Sequence, residues 1–102
     1  MFLSLSGVLL ASQLAVAVAD HVPEIDFMSD CRGATAMGMG ATLQNCVGGE
    51  QSARGQLAKE WSRFSDSHKT SCIEETSGFE PSYVELLMCL EAARDAKQAP
   101  QE

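Results

Sequence analysis

TLQNCVGGEQSARGQLAKEWSRF, Thr42 to Phe64, decides the fold. Along it Leu43, Cys46, Val47, Glu50, Arg54, Leu57, Trp61 and Phe64 recur at steps of three and four. That is the spacing of one helical face, not the alternation of a strand. Leu57, Trp61 and Phe64 make an apolar stripe, while Gln51, Lys59 and Glu60 lie off it. Glu50 and Arg54 are the polar members of the row, placed to pair at i, i+4 for a few tenths of a kcal/mol. Gly48-Gly49 costs about 2 kcal/mol inside a helix. Either the helix begins at Gly49 or Glu50, or it runs through from Leu43 with a weak point there.

The chain downstream repeats the helical signal twice. Phe64-Ser65-Asp66 reads as a break, with Ser65 as N-cap of a second helix whose acidic first turn suits the helix dipole. Ser77-Gly78-Phe79-Glu80-Pro81 ends it, Gly78 supplying a C′ position and Pro81 forbidding continuation. Ser82-Tyr83-Val84-Glu85 is a capping box: Ser82 accepts the Glu85 amide and Glu85 returns the bond. It opens a third helix with Tyr83, Leu86, Leu87, Leu90 and Ala93 on one face. The expected fold is all-α, with three short helices over about 43–64, 66–77 and 82–97. The expected core is Leu57, Trp61, Phe64, Tyr83, Leu86, Leu87 and Leu90.

Upstream, Phe2 to Val18 is an apolar run of 17 residues diluted by Ser4, Ser6, Ser12 and Gln13. It closes on Ala17-Val18-Ala19, the small-x-small pattern of a secretory signal, with Asp20 immediately after. The run lacks a preceding Lys or Arg. It is also shorter than the roughly 20 apolar residues of a membrane anchor. Residues 1–19 are therefore read as a signal peptide helix cleaved between Ala19 and Asp20. Residues 20–41 follow as an irregular arm and a glycine-rich loop, 42–97 as the disulfide-stapled domain and 98–102 as a disordered tail.

Seven Lys and Arg against 14 Asp and Glu leave a net charge of −7, all of it downstream of the signal. Nucleic acid and anionic membrane surfaces both demand a basic face and are disfavoured as partners. After cleavage no stable membrane insertion is expected. The charge suits a basic envelope protein as partner, although acidity is also an ordinary route to solubility.

All four cysteines, Cys31, Cys46, Cys72 and Cys89, lie beyond the signal and would reach an oxidising compartment. Four allow three connectivities. At 1.5 Å per residue Cys46 lies roughly 27 Å from the turn at Phe64-Ser65, and Cys72 about 9 Å beyond it. In an antiparallel hairpin these two cannot approach to about 4.4–6.8 Å. Cys72 stands a little before the Ser77–Pro81 loop and Cys89 a little after the Ser82 cap, so they come nearly level. Cys31–Cys46 with Cys72–Cys89 is favoured. The nested pairing, Cys31–Cys89 with Cys46–Cys72, needs another helix arrangement.

Little in the sequence carries catalytic chemistry. Ser65-Asp66-Ser67-His68 has the residue types of a hydrolytic triad, but neighbours in one turn do not orient base against nucleophile. The cysteine separations of 15, 26 and 17 contain no zinc-type pair. His21 would stand third from a free amine only if cleavage fell after Val18, a poor residue to cut after. No catalytic residue, metal or cofactor is expected, and the chain is not read as an enzyme. Trp61 is read as the core anchor between helices; exposed beside acids, it would mark a binding hot spot instead.

The run Leu43-Gln44-x-Cys46-x3-Glu50-x2-Ala53-Arg54-x-Gln56-Leu57-x3-Trp61-x2-Phe64 is followed by Lys69-x2-Cys72 and Pro81-Ser82-Tyr83-x-Glu85-Leu86-Leu87-x-Cys89-Leu90-Glu91. Together these resemble small exported cysteine-containing proteins of rhizobial-type alphaproteobacteria, over about residues 31–94. The resemblance implies a periplasmic or secreted bacterial protein and brings no assigned activity with it. The positions that carry it are those read above as stripe, cap and disulfides. A fainter likeness, to secreted lysozyme-inhibitor-like domains, rests on helices and a Gln56-x4-Trp61 segment followed by a cysteine. Trp61 to Cys72 is about one helical turn too long for it. The expected function is a non-enzymatic protein-binding or inhibitory module of the envelope, acting through an acidic helical face that includes Glu60 and Glu91. The alternative is a structural or stress-related periplasmic protein without a discrete ligand site.

Overall fold

Thr42 begins the longest helix among the described residues by turning its own side chain onto the first turn: its Oγ1 accepts the Asn45 N–H at 3.1 Å. The computed structural model describes residues 21–38, 42–78 and 80–98. The expected signal peptide 1–19, its expected Ala19–Asp20 cleavage site, residues 39–41, Phe79 and residues 99–102 lie outside the described residues. Among those described there are four α-helices and no strand, so the class is all-α. They are α1 (Met28–Ala36), α2 (Leu43–Glu60), α3 (Asp66–Thr76) and α4 (Tyr83–Gln98), with a 3₁₀ turn at Trp61–Arg63.

This is one helix more than the sequence pattern predicts. α1 occupies part of the segment 20–41 expected to be an irregular arm and loop. Its small residues Gly33, Ala34, Thr35 and Ala36 offer no apolar stripe, so periodicity cannot reveal it. Three other features hold it. Asp26 Oδ1 accepts the Met28 N–H at 3.2 Å, Thr35 Oγ1 donates to the Cys31 carbonyl at 2.9 Å, and Cys31 is fully buried. Gly38 ends the helix in left-handed backbone, φ 66°, which glycine takes without a Cβ penalty.

α2 runs unbroken through Gly48 and Gly49. Its inward residues Glu50, Ala53 and Leu57 are buried, and that burial offsets the glycine penalty. The helix tightens into the 3₁₀ turn after Glu60 and stops where Phe64 becomes extended. Ser65 then caps α3, its Oγ accepting the His68 N–H at 3.2 Å. Ser77 closes α3 with its N–H on the Ile73 carbonyl; Gly78 does not take left-handed backbone. Ser82 caps α4 by accepting the Glu85 N–H at 3.3 Å.

α4 is the central element, with close backbone approaches to both α2 and α3, while α2 and α3 make none to each other. The antiparallel hairpin expected of those two is therefore absent. Leu57, Trp61, Phe64, Tyr83, Leu86 and Leu90 are buried around α4 with Ala53 and Cys72; Leu87 is only half-buried. Val22, Ile25 and Phe27 from the arm also pack on this core.

The cysteines pair as Cys31–Cys46 and Cys72–Cys89, with Cα–Cα distances of 5.5 and 5.7 Å. The first joins α1 to α2, the second α3 to α4. The return of α4 along α3 brings Cys72 and Cys89 level, as the residue count from the loop anticipates. A domain this small leans on such cross-links. Non-reducing peptide mapping should recover Cys31–Cys46 and Cys72–Cys89 linked peptides, and loss of either bridge should cost about 2–4 kcal/mol. A Cys46–Cys72 linked peptide would overturn this arrangement.

Candidate functional site

Glu50 is the residue whose environment departs furthest from its sequence context. It does not pair with Arg54. It is 2% exposed and reaches across to α4, where its carboxylate accepts the Ser82 hydroxyl at 2.5 Å and the Tyr83 N–H at 2.6 Å. The capping box is thus half built. Ser82 accepts from Glu85, but Glu85 is exposed and returns no bond; the carboxylate at the helix start comes from Glu50 on another helix. The first N–H groups of a helix have no partner within it and carry the positive end of its dipole. A carboxylate there accepts charge-assisted bonds, which are about twice as strong as neutral ones.

Arg54 takes a different partner. Its guanidinium donates to Glu24 Oε1 at 2.9 Å and lies 5.7 Å from the centre of the Tyr83 ring. The Tyr83 hydroxyl accepts the Ile25 N–H at 2.9 Å, and its ring packs tilted on Phe27 at 6.0 Å. Tyr83 therefore ties the arm to α4 beside the Glu50 contact.

Two more cations lie over aromatic rings. Lys69, 6% exposed, sits 5.1 Å from the centre of the buried Trp61 ring and 3.7 Å from Asp66. Trp61 is a core residue here, not an exposed anchor. Arg94 lies 5.4 Å from the Phe64 ring and donates to Glu60 Oε1 at 2.8 Å. Gln56 donates to Glu60 at 3.0 Å and to Glu91 at 3.4 Å. Glu60 and Glu91, expected to act on a partner, are thus engaged within the protein. Bonds from Arg94 and then Gln56 hold the Glu60 carboxyl below its usual range, and the bond to Glu60 raises Arg94.

The triad-like residues do not assemble. Ser65 Oγ serves the α3 cap and lies 3.5 Å from Ser67 Oγ, and Asp66 faces solvent towards Lys69. Among the described residues no hydrogen bond joins the His68 ring to a hydroxyl. His21 is exposed. Asp30, Cys31 and Cys46 present ligand-type atoms within 4.8 Å of one another, but the paired sulfurs offer no thiolate. No helix among the described residues is long and apolar enough to cross a membrane.

One concave surface has no signal in the sequence. An open groove of about 670 Å³ runs between α3 and α4 over the Cys72–Cys89 pair, with Glu75, Glu85 and Met88 along it. Comparison with known proteins finds no matching family model, no matching curated protein and no matching solved structure.

The Glu60–Arg94 pair generates a pH prediction. A carboxyl whose pKa is lowered on folding stabilises the fold above its ordinary value of 4.5. That contribution is lost as pH falls through the lowered folded value. Glu60→Gln should therefore flatten the acid limb of a denaturation series and leave the neutral-pH slope unchanged. Parallel acid limbs for both proteins would contradict it.

Proposed function

We propose that the chain is a non-enzymatic binding module of the bacterial envelope, exported, cut after Ala19 and acting on a basic protein. The observation that carries this reading is a set of unpaired acids on a helical frame cross-linked by two cysteine pairs. Glu74, Glu75 and Glu85 are exposed and, among the described residues, have no cationic partner, whereas Glu24, Glu60 and Glu91 each meet an arginine. Fixed carboxylates on a rigid surface steer and select a cationic partner at little ordering cost. The signal-like residues 1–19 and the sequence resemblance to rhizobial-type exported proteins support the location. The paired cysteines fit an oxidising compartment.

Immobilised oxidised protein should capture one basic protein stoichiometrically from periplasmic extract, and reversing Glu75 and Glu85 in charge should abolish capture. The protein recovered from its native envelope should begin at Asp20 by mass spectrometry. Capture of nothing at low and moderate salt would end the binding reading in favour of a structural role. An intact Met1 in a membrane fraction would end the export reading.

A further inference from the structure

We propose that the α3–α4 groove receives a basic amphipathic segment of a partner protein, its apolar side chains covering Met88 and its cations meeting Glu75 and Glu85. This rests on the binding-module reading and gives it a place and a partner chemistry.

Apolar groups of α4 line the floor, with His68, Ser71 and Thr76 of α3 opposite them. Ala92 and Ala93 of α4 lie beside the Cys72–Cys89 pair, which holds the two walls at one spacing. Met88 is 59% exposed, and an unbranched thioether adapts its shape to an incoming side chain. Glu75 Oε2 lies 3.4 Å from Cys89 Sγ. A disulfide sulfur has no hydrogen to donate, so this contact leaves the carboxylate without a donor. Glu85 likewise has none among the described residues.

The charges decide the occupant. An acidic segment would place like charges along an already acidic wall. A wholly apolar one would strip water from two carboxylates and return nothing. A second copy carries the same net charge of −7. A segment alternating lysine or arginine with leucine-like residues satisfies both floor and wall, and beside an apolar surface each ion pair gains strength over one in open water.

The test is a nitrogen-15 NMR titration of the oxidised protein with a synthetic helical peptide bearing lysine on one face and leucine on the other. Its glutamate-for-lysine counterpart serves as control. Shifts should concentrate on residues 68–76 and 85–93, and binding should weaken with salt. Glu75→Gln with Glu85→Gln should reduce affinity about three- to tenfold. Met88→Ser should reduce it independently. Glu74→Gln, a single charge removed on α3 outside the groove, should leave affinity within about twofold, whereas Glu75→Gln alone should lower it measurably. Circular dichroism would verify that each variant is folded.

Equal binding of the acidic peptide, or equal loss from Glu74→Gln, would overturn the proposal. So would shifts at these residues that grow with protein concentration alone, which would assign the groove to a second copy. Lysine-peptide shifts confined to another face would overturn the groove while leaving the module reading standing. A groove that fills with peptide while the protein captures no envelope partner would fail the module reading instead.

Discussion

A carboxylate buried between two helices sets the terms for this structure. Glu50 comes from the middle of α2 and ends at the first turn of α4, taking the Ser82 hydroxyl and the Tyr83 amide. Placing a carboxylate out of water costs several kcal/mol unless strong donors replace the solvent. Here the donors include an otherwise orphaned helix N–H, and the helix dipole points the right way. Ser82 also accepts from Glu85, so one hydroxyl links the α4 cap to the α2 carboxylate. Because α4 is the helix against which both α2 and α3 pack, fixing its start fixes the arrangement of the rest.

The arm depends on the same point. Tyr83 immediately follows the cap, and its hydroxyl, ring and neighbouring Arg54 hold Ile25, Phe27 and Glu24 respectively. Elsewhere Lys69 and Arg94 cover the Trp61 and Phe64 rings. Long cationic side chains bury their stems while keeping their charge paired or hydrated, so a core with few large apolar residues gains extra cover. The two cysteine pairs add covalent ties between neighbouring helices, α1 to α2 and α3 to α4. One consequence is an uneven surface. Arg54, Lys69 and Arg94 are engaged within the protein, and the acids along α3 and the start of α4 are left facing outward.

Local signals made much of this legible in advance. The caps at Ser65 and Ser82, the stripe Leu57–Trp61–Phe64 and the level placement of Cys72 and Cys89 each follow from spacing within one or two turns, and so the all-α class and the cysteine pairing follow too. Contacts between distant positions were hidden. Glu50 has an ideal local partner in Arg54, and nothing in the sequence says that Ser82 would claim it. Arg54 similarly goes to Glu24, far away in the chain. α1 carries no periodic apolar face: a disulfide and side-chain bonds from Asp26 and Thr35 to its backbone hold it. The groove is hidden for a related reason: the spacing from Ser82 commits Glu85 to a capping box, and Met88 carries no pattern until α3 is placed beside it.

A double-mutant cycle on Glu50→Gln and Ser82→Ala tests the central claim most directly. Each single change should cost about 2–4 kcal/mol, since each leaves a buried polar partner unsatisfied. Because both act on the same bond, the double mutant should cost clearly less than the sum, with a coupling of about 1–3 kcal/mol measured by denaturant unfolding of the oxidised protein. Additive losses, agreeing to within about 0.5 kcal/mol, would show that the two residues act independently. The start of α4 would then not be held by the carboxylate from α2.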